Sequence, residues 1–194
     1  MLAEIFPVFC VGCHKFNDFL CQECAESITL ANTETRPGFE FQVAFQYEQL
    51  MAEILSRVKE KHHYGYIKSL AGYLRRSLDL DSKSEVLVPP PTSKSLRKRG
   101  FTPSFEFAKQ AGLNVTKKLK RTRQTPDQQS LQFKPRQSNL EKAFRLEEPG
   151  DYLLFDDVVT TGATVREMMR AVTDSGGQVV GVIALCATNA KGAN

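Results

Sequence analysis

The 194-residue sequence lacks any apolar run of bilayer length. Its longest wholly uncharged apolar stretch near the C-terminus, Val179 to Ala187, falls far short of the roughly 20 residues that a spanning helix requires. It also lacks the basic leader of a secretory signal. Met1 to Gly12 is apolar but carries Glu4 and runs straight into cysteines, so the expectation is a folded N-terminus in a cytoplasmic protein. Internal repeats are missing, and the one segment that reads as a linker is polar Asn32 to Gly38. Strong charge bias is missing too. Lys and Arg number 26 against 22 Asp and Glu, a net charge of +4 whose meaning depends on where the cations cluster. With 41% hydrophobic and 25% charged residues, disordered, coiled-coil and disulfide-scaffold classes are excluded. The length fits about one domain plus a small appendage.

Four of the five cysteines fall within fifteen residues, as Cys10-x-x-Cys13 and Cys21-x-x-Cys24. Two such knuckles supply the four thiolates that tetrahedral zinc takes in a closed structural site, and a structural Zn2+ is the expected occupant. Paired redox thiols, disulfides and an iron-sulfur cluster are the competing readings. The seven-residue spacer is shorter than common zinc-ribbon spacings, and His14 within it reads as an exposed loop residue. Cys186, in the run Val-Ile-Ala-Leu-Cys, reads as a small buried apolar residue.

The remainder alternates strand and helix. Phe39, Phe41, Val43, Phe45 and Tyr47 alternate with polar residues or alanine, the period of a half-buried strand. Leu50, Met51, Ile54, Leu55 and Val58 then form a helical stripe, and Ile67, Leu70, Ala71, Leu74 and Leu78 a second. Val86 to Val88 is a short strand stopped by three prolines. Thr102-Pro103 reads as an N-cap and first helical residue, with Gly112 ending that helix. Leu113 to Leu119 is a weak strand, Ser138 with Glu141 resembles a capping box, and Tyr152 to Phe155 is a buried strand. A helix from about Ala163 to Ser175 and a strand from Gln178 to Cys186 follow. This order predicts an α/β parallel sheet flanked by helices, with a zinc-binding module over residues 1–36 and the main domain over 37–194.

The chemistry concentrates in Leu153-Leu-Phe-Asp156-Asp157-Val-Val-Thr160-Thr161-Gly162-Ala163-Thr164. At the carboxyl end of a parallel strand the two carboxylates stand where ligands bind and can accept hydrogen bonds from sugar hydroxyls. Backbone N–H groups of the Thr/Gly loop and the start of the next helix suit a monophosphate, with Gly162 permitting close approach. Sugar and phosphate together read as ribose 5-phosphate.

This string resembles the signature of type I phosphoribosyltransferases, whose donor is phosphoribosyl pyrophosphate (PRPP) with Mg2+. The resemblance implies a type I phosphoribosyltransferase-like sheet and a pyrophosphate loop after an earlier strand, here Pro89-Pro90-Pro91-Thr92-Ser93-Lys94. Next to it Lys94, Arg97, Lys98 and Arg99 place four cations within six residues, suiting pyrophosphate or polymer phosphates, or else forming a solvated helix face.

The order of parts resembles the ComF family, of the competence-protein ComFC and GntX type, in which a four-cysteine zinc module precedes a phosphoribosyltransferase-like domain. Agreeing stretches are Tyr47 followed by a helix with late Lys59, Val88 to Pro91 with Arg97 to Phe101, and Arg121-x-Arg123-x-Thr125-x-x-Gln128-x-x-Leu131 followed by Arg136, Asn139 and Phe144. Thr102-Pro103 departs from the family's usual Asn-Gln. The resemblance implies a cytoplasmic role in natural transformation, handling incoming single-stranded DNA, with PRPP or a similar ligand at Asp156 and Asp157.

Lys117, Lys118, Lys120, Arg121, Arg123, Lys134 and Arg136 put seven cations into twenty residues opposed by Asp127 alone, with Phe133 among them. Such a surface suits single-stranded nucleic acid. A basic loop that closes over PRPP is the competing reading. An active phosphoribosyltransferase acting on an unknown acceptor is the main functional alternative, although nothing in the sequence reads as a base-recognition element. The cysteine module either staples the N-terminus or also docks a motor protein that pulls DNA inward.

Overall fold

The computed structural model describes residues 8–16, 18–61, 63–77, 83–122 and 140–188. The first knuckle and a short helix, α1 (Gln22–Ile28), lead into strand β1 (Thr29–Arg36) and strand β2 (Phe39–Gln46). Two helices follow, α2 (Gln49–Lys61) and α3 (Gly65–Ser77), then the short strand β3 (Glu85–Leu87). Helices α4 (Ser93–Arg99) and α5 (Pro103–Gln110) precede strands β4 (Asn114–Thr116) and β5 (Lys120–Arg121). The chain closes with β6 (Phe144–Arg145), β7 (Asp151–Val159), α6 (Ala163–Asp174) and β8 (Gln178–Ala187).

Among the described residues six strands form one sheet, in the order β1-β2-β8-β7-β3-β4, while β5 and β6 pair separately. All neighbours in the large sheet run parallel except β1, which is antiparallel to β2. The α/β sheet flanked by helices is therefore as the strand and helix periodicities imply. The polar segment expected as a linker is a correction. Asn32 to Arg36 lies in β1, paired with Val43 through Phe39, because an edge strand with one solvated face reads as polar. Only Pro37 and Gly38 remain as a turn, with Gly38 at φ +91°.

Alternation along the central strands divides the core between the two faces. Leu153 and Phe155 of β7, with Val86 of β3, pack on the side covered by α2, α3 and α5; Tyr152, Leu154 and Leu87 pack on the side covered by α6. The first core also holds Cys10, Leu20, Cys21 and Ala25, so the cysteine module is packed into it. The expected helical stripes are buried as read: Met51, Ile54 and Val58 on α2, Ile67, Leu70 and Leu74 on α3. Pro103 opens α5 after Thr102, whose hydroxyl makes no cap bond, and Gly112 follows its end at φ +82°. Ser138 of the expected capping box and Leu78 of the second stripe lie outside the described residues. No helix of the described residues is long and apolar enough to cross a membrane.

Candidate functional site

β3 ends at Leu87, opposite Leu154 of the parallel β7, so the segment that leaves β3 meets the last residues of β7 at one edge of the sheet. A cavity of about 410 Å³ opens there, lined by Pro89–Thr92 after β3, by Asp156, Asp157 and Thr160 of β7 and its loop, and by Thr164 of α6. Sheets of this kind bind ligands at the carboxyl ends of their strands.

Asp157 lies on the Phe155 side of β7, beneath α2 and α5. Lys59 of α2 brings its Nζ to 2.5 Å from Asp157 Oδ2, and Ser104 of α5 donates its hydroxyl to Oδ1 at 3.2 Å. The Asp157 N–H donates to Asp156 Oδ1 at 2.9 Å. Both carboxylates are nearly closed off, 6% and 9% exposed. Their protonation diverges. Burial and the neighbouring Asp157 charge push Asp156 well above the usual carboxylate range. Burial pushes Asp157 the same way, but the Lys59 ammonium and the donors around it outweigh burial and hold it below. Among the described residues Lys59, Arg99 and Arg121 also line the cavity, three cations beside two carboxyl groups, which suits an anion. Arg99 is steadied by donation from Nε to the Lys59 carbonyl, and Arg121 by Nε and Nη2 donating to Pro90 O.

The Thr/Gly loop turns at Gly162, φ +79°, directly ahead of α6. A side chain there would place its Cβ 2.7 Å from the Phe39 ring, so this position needs glycine for both conformation and space. Thr160 and Thr164 face the cavity, and Thr161, Gly162 and Ala163 make the turn between them. Arg36 at the end of β1, 7% exposed, fastens this loop: Nε donates to Thr160 O at 3.1 Å and Nη2 to Thr188 O at 2.7 Å.

On the other wall, Pro91 and Thr92 line the cavity, and the Thr92 hydroxyl accepts from Ser95 N as the cap of α4. Ser93 and Lys94 are exposed in the first turn. Ser95 and Arg99, four residues apart on one helix face, line the cavity, and exposed Lys94 is not among its lining residues. Arg97 and Lys98 are exposed on the same helix.

Of the second basic stretch, Lys117 and Lys120 are exposed, with Lys117 Nζ 4.9 Å from the Phe105 ring centroid. Lys118 is held in the fold. Its Nζ pairs with Glu85 at 2.8 Å and Glu148 at 2.9 Å. Arg123, Lys134 and Arg136 lie outside the described residues, as does Phe133.

The sulfurs of Cys10, Cys13, Cys21 and Cys24 all lie within 4.8 Å of one another, Cys13 and Cys21 at 3.5 Å. A tetrahedral ion with metal–sulfur bonds of about 2.3 Å sets its sulfurs about 3.8 Å apart, so the four cysteines fit one metal ion. Burial pushes the Cys10 thiol up, but N–H groups of Cys13, Cys21 and Gly12 outweigh it and bring it down to about 6, whereas burial and neighbouring thiols push Cys24 up. Four thiolates at such spacing need a cation to coexist. His14 is exposed with φ 60°, and Cys186 is fully buried with Sγ 3.4 Å from Asp157 O.

Lys59, Ser104, Arg36 and Tyr47 are site-lining or site-bracing residues that the motif reading did not include. Lys59 and Tyr47 were visible only within a longer pattern. Ser104 and Arg36 leave no local signal, because they act across 53 and 124 residues of chain.

No family model matches the chain. It is 34% identical to the "DNA utilization protein YhgH" of Salmonella typhimurium, over 59% of this chain and 54% of that one, and 32% identical to the protein of the same name from Escherichia coli K12, over 60% and 55%. It is 49% identical over 47 residues to an orotate phosphoribosyltransferase of Rhizorhabdus wittichii, 24% of each chain. A solved adenine phosphoribosyltransferase, 13% identical and covering 87% of this chain and 92% of its own, superposes with a TM-score of 0.41. The chain spans about half the length of the curated YhgH relatives it matches. These relatives bear out the ComF-type resemblance read from the sequence: across the matched region the chain is a homologue of the YhgH proteins.

Proposed function

We propose that this protein binds PRPP, with Mg2+, in the Asp156–Asp157 cavity and holds single-stranded DNA on the adjoining basic surface, handling incoming DNA in the cytoplasm during natural transformation. The observation that carries the reading is the convergence of a paired acid, a Thr/Gly turn at a helix start and three cations on one cavity. In this assignment Asp156 and Asp157 face the ribose hydroxyls, Thr160 to Thr164 the 5-phosphate, and Pro91 and Thr92 with Arg99 and Arg121 the pyrophosphate. Mg2+ binds mainly through phosphate oxygens and water and asks little of the protein. Zinc at Cys10, Cys13, Cys21 and Cys24 staples the N-terminal module to the core, and the module's outer face is free to meet a DNA-uptake motor. The name of the YhgH relatives, "DNA utilization protein", supports the DNA side of the reading.

The test is calorimetric titration of PRPP with Mg2+ into wild type, Asp156→Asn and Thr164→Val, with oligo-dT affinity followed at each point. Binding by wild type, weakened roughly tenfold or more in either variant, supports the assignment. Equal binding by all three overturns it. Pyrophosphate release with a candidate acceptor would move the reading from binding to turnover.

A further inference from the structure

A second cavity, of about 370 Å³, lies beside the first and shares with it the Pro89–Pro91 wall, Phe101, Thr102 and Arg121. Its character differs. Val88 and Leu119 form a buried floor, and half-buried Phe101 and Phe105 form apolar sides. Leu96, 44% exposed, rims it from α4. Lys117, Lys120 and Arg121 also border it, against one acid among the described residues, Glu106, which already accepts from the Tyr64 hydroxyl at 2.6 Å.

An apolar slot of this volume takes one ring-sized group, and cations at its edge call for a neighbouring negative charge. Lys117 stands over the Phe105 ring, so the aromatic face and the positive charge already form one unit. An unstacked nucleobase with its flanking phosphate meets both requirements at once, since a base needs a π-face and the backbone needs fixed cations. A purely apolar peptide side chain leaves the cations unused. The exposed cations Arg97 and Lys98, on the same helix as Leu96, extend the positive edge away from the slot.

We infer that this slot, bounded by Phe101, Phe105 and Leu96, seats one base of a single strand, with the adjacent phosphate at Lys117 and Lys120. The inference rests on the single-strand reading above and gives it a base-binding subsite. Because the wall is shared, a strand seated here runs past the mouth of the carboxylate cavity.

The experiment compares oligo-dT with an abasic oligomer of equal length, across a salt series, on wild type, Phe105→Leu, Leu96→Gln and Lys117→Gln. Phe105→Leu keeps an apolar filler and is checked against wild type by thermal midpoint; Leu96→Gln, at the exposed rim, probes the same slot if that control fails. Wild type is expected to prefer oligo-dT roughly tenfold, and Phe105→Leu to lose that preference with its salt slope unchanged. Leu96→Gln should reduce the preference in the same direction, and Lys117→Gln should lower the salt slope by about one phosphate contact. Equal binding of both oligomers by wild type overturns the subsite and leaves the single-strand reading intact. Absence of binding to either overturns both. Thymidine monophosphate occupying the slot as tightly as the oligomer overturns the strand as its occupant.

Discussion

Lys59 Nζ sits 2.5 Å from the Asp157 carboxylate, joining the last turns of α2 to the end of β7. The pair is largely shielded, so the two variants that break it behave differently. Asp157→Asn leaves the shielded Lys59 cation facing a neutral amide, and costs about 3 kcal/mol of stability. Lys59→Met removes the charge that holds Asp157 ionised, so the carboxylate takes up a proton and part of the cost is relieved. Urea unfolding at neutral pH should rank wild type above Lys59→Met and Lys59→Met above Asp157→Asn; the reverse order of the variants would refute the asymmetry.

Asp156 gives a pH signature of opposite sign to Asp157. Its folded value is raised, by burial first and the Asp157 charge second, so ionising it costs the fold stability. That penalty is absent below the ordinary carboxylate range of about 4, builds as pH climbs toward the raised value, and is constant above it. Asp156→Asn should therefore be more stable than wild type at neutral pH, with the gain vanishing in acid. Asp157, held below its ordinary value, contributes stability above that value and loses it as pH falls through the depressed one. Thermal midpoints of both variants from pH 3 to pH 8 measure the two slopes.

Gly162→Ala should strain the loop twice, through φ +79° and through the Phe39 ring. The expected loss is about 1–3 kcal/mol. Phe39→Leu in the same chain should recover the steric share and leave the conformational share. A double-mutant cycle by thermal unfolding separates them.

Arg36→Met should loosen the Thr160 loop by leaving the carbonyls of Thr160 and Thr188 without their guanidinium donor. The expected cost is about 2 kcal/mol, since these are bonds from a charged group. Hydrogen exchange at residues 160–164 should accelerate by more than at α3, which Arg36 does not touch; uniform acceleration would mean general destabilisation only.

With zinc in the four-cysteine site, Cys10→Ser should lower metal content below one ion per chain and the thermal midpoint by several degrees. Cys10 and Cys21 belong to the main core, so the loss should register in the unfolding of the whole domain. Metal analysis alongside calorimetry reads both, and an unchanged midpoint after chelation would remove the structural role.

Local pattern carried much of this protein. The stripes on α2 and α3, the buried run of β7 and the Pro103 and Gly112 boundaries follow from side-chain periodicity and backbone chemistry within a few residues. The cysteine knuckles and the acid-to-threonine segment were legible for the same reason: their functional atoms are neighbours in sequence. β1 was missed as a strand because its polarity reflects an edge position, and edges are defined only once a sheet exists.

Tertiary structure alone decided which cations serve the cavity. Lys94, Lys118 and Arg99 look equivalent in sequence, yet Lys94 is exposed on α4, Lys118 pairs with two glutamates, and Arg99 is braced on the Lys59 carbonyl at the cavity wall. The same holds for Lys59 and Arg36, whose partners are about a hundred residues away in the chain. The α/β alternation, the sulfur cluster and the acid–loop motif were legible along the chain, because those depend on spacing. Charge pairing and loop anchoring depend on which elements pack together, and only the folded sheet brings them within hydrogen-bond reach.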